Sequence, residues 1–167
     1  MKKRHFFLGA RMEIITLNQT FYERHSEHSE ILHNKDGRPY LALIIQSEEY
    51  TFAIPFRTSG HQSKNSPKKP KLGYFFSSSG RKSISAKGKI PTLDYVKAVI
   101  ITEMDIAGTG RIDANEFREL HDNFEKIRND FFQYVKYYKD SIRSQVNLND
   151  FEIRCSTLQY YHKELSL

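Results

Sequence analysis

The segment Ile54–His61 holds the residue types that phosphate chemistry needs, close together and just past the end of an apolar run. Arg57 can offset developing negative charge. Thr58, Ser59 and the Gly60 amide can donate hydrogen bonds to nonbridging oxygens, and the His61 imidazole can move a proton near neutral pH. The same residues also make an ordinary polar loop, in which Thr58 and Ser59 bond to nearby backbone groups. Spacing alone does not separate the two readings.

Three other constellations invite chemistry and carry less. Asp105–Glu116 places Asp at position 1, Gly at 6, Asp at 9 and Glu at 12 of an EF-hand calcium loop. Its position 3, however, is Ala107, which has no ligand oxygen, and the preceding segment reads as a strand where that motif needs a helix. Asp113 and Glu116 are better explained as the N-cap and third residue of a helix. His25, His28 and His33 match no metal-ligand spacing, and a solvated polar loop is expected there. Cys155, the single cysteine, lies far from any motif.

The charge of this 167-residue chain is unevenly placed. No acidic residue stands between Glu49 and Asp94, whereas Arg57, Lys64, Lys68, Lys69, Lys71, Arg81, Lys82, Lys87 and Lys89 contribute nine positive charges. The remainder holds 17 basic and 20 acidic residues. A near-neutral scaffold thus carries one basic segment, and the partner that suits such a field is a polyanion, first of all nucleic acid. With 12 Phe and 10 Tyr there is aromatic surface enough for a core, which excludes disorder as the overall state. No apolar run approaches the roughly 20 residues that span a bilayer, so a soluble protein with no membrane partner is expected. A lone cysteine cannot close an intramolecular disulfide, and the apolar stretch near Met1 is too short for a signal peptide, so a reducing cytoplasm is expected.

The elements that must position these residues follow from periodicity. Residues 1–11 are expected to form a disordered extension or an upstream start. A single domain then covers 12–167, with a basic loop segment at 57–91. Met12–Leu17 reads as a strand, with Asn18 capping a helix through Phe21, Tyr22 and His25. Pro39–Gln46 and Tyr50–Phe56 read as a hairpin joined by Ser47–Glu49. Pro55, which cannot donate to a ladder, is expected to push the end of the second strand to an edge or a bulge. Lys71–Phe76 is apolar enough for a short strand, and Tyr95–Thr102 reads as a longer one. From Asp113 a helix runs with Phe117, Leu120, Phe124, Ile127, Phe131, Val135 and Tyr138 on its buried face. Ser156–Leu165 gives a weaker signal for a last short helix.

Taken in order, these pieces resemble the toxins of type III toxin–antitoxin systems, the ToxN, AbiQ, TenpN and CptN group, and most closely its TenpN branch. The resemblance covers Met12 to about Tyr138. It rests on the opening strand and helix with Tyr22, on Arg38–Ile45, on Phe52–Ser59, on Leu93–Ile101 and on the long helix. It implies an α+β fold: a compact, strongly bent antiparallel β-sheet barrel of the Kid and MazF kind, with the long helix of the C-terminal half packed on it. It also implies a metal-independent endoribonuclease, without cofactors, that is neutralised by a small repeat-derived RNA antitoxin in a hetero-oligomeric assembly of toxin and RNA. The family's Thr-Ser pair corresponds to Thr58 and Ser59. Its second basic residue corresponds to Arg38, where ToxN has lysine. The lysine that ToxN places two positions beyond the serine is here His61, and Lys64 is the other candidate for the general acid.

The chemistry so implied is attack of the RNA 2′-hydroxyl on the adjacent phosphorus. Ser59, Thr58 and Arg38 would serve the phosphorane oxygens and His61 would protonate the leaving oxygen. Arg57, Lys64, Arg81, Lys82, Lys87 and Lys89 would bind RNA. Tyr74, Phe75 and Phe76 could stack on bases, although burial is expected for at least two of them. The competing reading from another class is a noncatalytic RNA-binding module.

Overall fold

In the computed structural model, residues 12–34, 37, 39–58, 67–77 and 90–167 are described. The elements are β1 (Glu13–Leu17), α1 (Gln19–Arg24), β2 (Leu41–Gln46), β3 (Thr51–Arg57), β4 (Gly73–Phe75), β5 (Thr92–Asp94), β6 (Val99–Ile101), β7 (Ile106–Thr109), α2 (Ala114–Asp122), α3 (Phe124–Ser144) and α4 (Phe151–Arg154). Short 3-10 turns lie at Tyr95–Lys97, Glu103–Asp105 and Thr157–Tyr161. The fold is α+β, and among the described residues no helix is long and apolar enough to cross a membrane.

Among the described residues all strand pairs are antiparallel, and the order β4-β5-β3-β2-β1-β7 is that of an open sheet, not one closed into a barrel. The β2–β3 hairpin forms as its sequence predicts. Ser47 closes the turn: its amide donates to the Tyr50 carbonyl (2.8 Å) and its Oγ accepts from the Tyr50 amide (2.9 Å). Asn18 caps α1, its Oδ1 accepting from the Phe21 amide at 2.9 Å.

Pro55 is not on an edge. It lies in the central strand, opposite Ala42. On its far side β3 is shared by two partners, β6 pairing with Thr51–Ala53 and β5 with Phe56–Arg57. Pro55 falls in the gap between them, where its missing N–H costs no ladder bond.

The single strand expected over Tyr95–Thr102 is instead interrupted. Asp94 Oδ1 accepts from the Val96 amide at 3.2 Å and winds Tyr95–Lys97 into a 3-10 turn, so the extended pieces are β5 and β6. The single helix expected from Asp113 breaks at Asn123, whose side-chain amide (2.8 Å) and backbone amide (3.1 Å) both donate to the Glu119 carbonyl. The break leaves Phe117 47% exposed rather than buried, while Leu120, Phe124, Ile127, Phe131, Val135 and Tyr138 are buried as the periodicity requires. Within Ser156–Leu165 a 3-10 turn capped by Ser156 spans Thr157–Tyr161 in place of an α-helix, yet Leu158, Tyr161 and Leu165 are all buried.

Along β3 the side chains alternate, Phe52, Ile54 and Phe56 to one face and Ala53, Pro55 and Arg57 to the other. On the first face Phe52 packs edge-on to Phe131 of α3 at 5.1 Å between ring centroids. On the second, Ala53 and Pro55 join Ala42 and Val99 to floor a cavity beneath Phe21 and Tyr22 of α1.

β4 approaches β5 so closely at Gly73 that a Cβ there would lie 2.5 Å from the Leu93 carbonyl oxygen. Gly73→Ala must therefore push the two strands apart, at a cost of about 1–3 kcal/mol. The expected result is amide exchange in β4 and β5 accelerated by about tenfold or more. Unchanged exchange there would show that the strands tolerate the methyl.

Candidate active site

Of the sequence-predicted residues, Arg57 and Thr58 lie at the open end of the β2–β3 hairpin. Arg57 is the last residue of β3, and Thr58, which follows it, is exposed. Ser59, His61, Arg38, Lys64, Arg81, Lys82, Lys87 and Lys89 lie outside the described residues, as does the expected 1–11 extension.

Arg57 stands opposite Thr92 in the ladder, which puts Asp94 on its diagonal on the same face. Its Nη1 donates to Asp94 Oδ2 at 2.7 Å. The Arg57 side chain is 25% exposed and that of Asp94 only 3%. The carboxylate's other oxygen receives the Val96 amide, so one buried side chain winds the 3-10 turn and holds the guanidinium. Arg57 thus leaves the β3 end already bound to a counter-charge, not as a free cation.

The same is true of other members of the basic segment. Lys69 bridges Asp150 (2.9 Å) and Glu152 (2.8 Å), and these carboxylates raise its pKa above the ordinary lysine value. Lys71 pairs with Asp130 of α3 at 3.1 Å. The sequence counts these lysines as one run of positive charge, while the fold sets acidic residues from distant parts of the chain against them. The uncompensated field expected between Arg57 and Lys89 is correspondingly smaller by these three cations, while Lys64, Arg81, Lys82, Lys87 and Lys89 lie outside the described residues.

The chain on either side of residues 78–89 is tied down. The Phe76 amide donates to the Pro91 carbonyl at 3.0 Å. Glu119 Oε1 of α2 accepts from the Tyr74 hydroxyl (2.9 Å), the Ser77 amide (2.8 Å) and the Ser77 hydroxyl (3.0 Å). Burial and this carboxylate push the Tyr74 hydroxyl's pKa up, so it stays a donor. Of the three aromatics offered for base stacking, Phe76 is buried, while Tyr74 and Phe75 are half-buried. Neither Asp94 nor Glu119 was singled out from the sequence. Asp94 had a signal, as the first acid after a long acid-free stretch; Glu119 had none.

Lys97, Tyr40 and Leu32 also line the cavity on the α1 face, which has a volume of about 20 Å³, room for a single water. Lys97 is buried and donates to Glu30 and to the Cys155 carbonyl (2.9 Å). Burial, with Tyr40 nearby, pushes the Tyr22 hydroxyl up to about 12.

The histidines are not a solvated loop. His25 is 8% exposed and packs on Phe21 at 4.5 Å. Its Nδ1 meets that of His28 at 2.8 Å, a contact in which one nitrogen donates and the other, neutral, accepts. His28 stacks on Tyr160 at 4.0 Å. The residues of the calcium-like loop are engaged elsewhere. Asp105 accepts from the Thr102 amide (2.8 Å) and from Arg24 (2.6 Å), Ile106–Thr109 pairs with β1, and Asp113 caps α2 through the Asn115 and Glu116 amides.

No family model, no curated protein and no solved structure matches this chain.

Proposed function

We propose that this chain is a metal-independent endoribonuclease of the type III toxin–antitoxin kind, built on a strongly bent sheet related to the Kid and MazF barrels and held in check by a small RNA. The observation that carries the reading is the exposed Thr58 at the open end of the hairpin, next to a guanidinium held in place by a buried carboxylate. In the sequence Ser59 follows Thr58 directly, and Arg38 stands three positions before β2. The reading draws Arg38, Thr58 and Ser59 to one phosphate.

In this reaction the 2′-oxygen bonds to phosphorus while the bond to the 5′-oxygen breaks. Thr58 and Ser59 donate to the phosphorane oxygens, Arg38 offsets their charge, and His61 returns a proton to the departing oxygen. The nucleophile comes from the substrate, so no metal-activated water is called for.

Cleavage by this route should survive excess chelator, leave 2′,3′-cyclic phosphate and 5′-hydroxyl ends, and stop on a substrate with a 2′-methoxy sugar at the scissile position. Products with 5′-phosphates, or arrest by chelator, would refute the mechanism. RNA bound but never cut would favour a noncatalytic RNA-binding module.

A further inference from the structure

The structure assigns Asp94 as a positioning residue: we propose that its buried carboxylate fixes the Arg57 guanidinium at the end of β3 so that the remaining guanidinium N–H groups take a phosphate of the bound RNA. The inference rests on the reading of the β3 end as an RNA site.

Three observations carry it. First, Asp94 is built to hold one direction. Its backbone lies in β5, opposite Gly73 of β4, and its two oxygens have separate partners, the Val96 amide at 3.2 Å and Arg57 Nη1 at 2.7 Å. A carboxylate 3% exposed and held at both oxygens has little freedom to follow a moving guanidinium; the guanidinium must come to it.

Second, the pair does not use up the arginine. A guanidinium carries five N–H donors in a fixed planar fork, and the bond to Asp94 is made by Nη1. The Arg57 side chain, at 25% exposure, stays open to solvent beside the exposed Thr58. An arginine anchored on one edge and open on another is suited to a tetrahedral anion, because its geometry is set before the ligand arrives.

Third, the placement follows from strand alternation. Arg57 shares its face of β3 with Ala53 and Pro55, the small, donor-free residues that floor the α1 cavity. The guanidinium is thus the first charged group met on leaving that apolar strip toward Thr58.

A carboxylate at a polyanion site repels the ligand, and this makes the test decisive. If Asp94 only damped the field, Asp94→Asn would bind RNA more tightly and cut it as fast or faster. If Asp94 positions Arg57, the same variant binds as tightly or more tightly and yet loses at least tenfold in kcat.

The companion measurement does not depend on cleavage. The Arg57 Nε–H resonance of the full-length protein should shift when a 2′-methoxy RNA oligonucleotide is added, and Asp94→Asn should abolish that response. Should Asp94→Asn fail to fold, Arg57→Lys keeps the ion pair with Asp94 but lacks the fork, and the same loss of kcat at unchanged melting temperature is expected. Wild-type cleavage rates in Asp94→Asn or Arg57→Lys would overturn the proposal, as would an Arg57 resonance indifferent to RNA. An Arg57 resonance that responds in a wild-type protein that never cuts RNA would instead remove the nuclease reading and leave the positioning of Arg57 standing.

Discussion

Replacing His61 by alanine should lower the rate of RNA cleavage by about 10² to 10⁴-fold, the ordinary cost of losing one proton-transfer group. The 5′-oxygen leaves poorly as an alkoxide, and His61 is the group in Ile54–His61 able to hold a proton near neutrality and give it up. RNA affinity should fall far less than the rate, since one imidazole is a small part of the positive charge that meets the phosphates. Ser59→Ala, measured alongside, should cost about 10² to 10³-fold through loss of one donor to the phosphorane. Steady-state cleavage of a labelled oligonucleotide, with melting temperatures recorded for each variant, separates chemistry from folding. Normal cleavage by His61→Ala together with an inactive Lys64→Ala would move the acid to Lys64.

How far such residues can be read from sequence depends on whether the deciding partner is near in the chain. The hairpin, the Asn18 cap, the Asp113 cap and the buried face of α3 were legible because each rests on neighbours within a few residues. The interruption of the expected Tyr95–Thr102 strand was not, because it turns on Asp94 capping the Val96 amide while its other oxygen binds Arg57, 37 positions away. The acidic partners of the basic segment were not legible for the same reason. Lys69 finds Asp150 across 81 positions and Lys71 finds Asp130 across 59, distances over which a charge count carries no information. Pro55 was rightly identified as a residue that cannot serve a ladder. What the sequence could not show is that a central strand may have a gap on one side.

The second large effect is on stability, in mild acid. Burial, with His28 and Arg24 close by, lowers the His25 pKa from 6.5 to about 4, and Asp105 opposes them only in part. His33, Tyr160 and Tyr161 complete the titratable surroundings of the pair. The folded protein therefore refuses a proton that the unfolded chain accepts. Stability from this group is complete above pH 6.5 and falls as the pH drops toward 4, by about 1.4 kcal/mol per unit and about 3 kcal/mol in all. Asp105 acts lower on the scale. Burial alone would raise its pKa, but the bonds from the Thr102 amide and Arg24 hold it below the usual carboxylate value, so its contribution is lost only as the pH falls past that depressed pKa. Denaturant unfolding between pH 7 and 4 should show the slope. His25→Asn, which keeps a donor and an acceptor beside His28 but cannot titrate, should flatten it. Parallel curves for the two proteins would mean that some other group is responsible.

The gap at Pro55 also divides the sheet's cooperativity. β5 and β4 hang from the body through Phe56↔Leu93 and Arg57↔Thr92, whereas β2 runs in register with β3 from Ala42↔Pro55 to Gln46↔Thr51. A wing attached over so short a length opens at a lower free energy than the body unfolds. The Arg57–Asp94 pair, the three bonds to Glu119 and the buried Leu93 and Phe76 are then what holds that wing to β3, and loosening the polar bonds should raise amide exchange in β4 and β5 before it lowers the temperature at which the core around Phe52 and Phe131 melts. Global stability and order at the β3 end are separate quantities in this molecule, free to be selected apart.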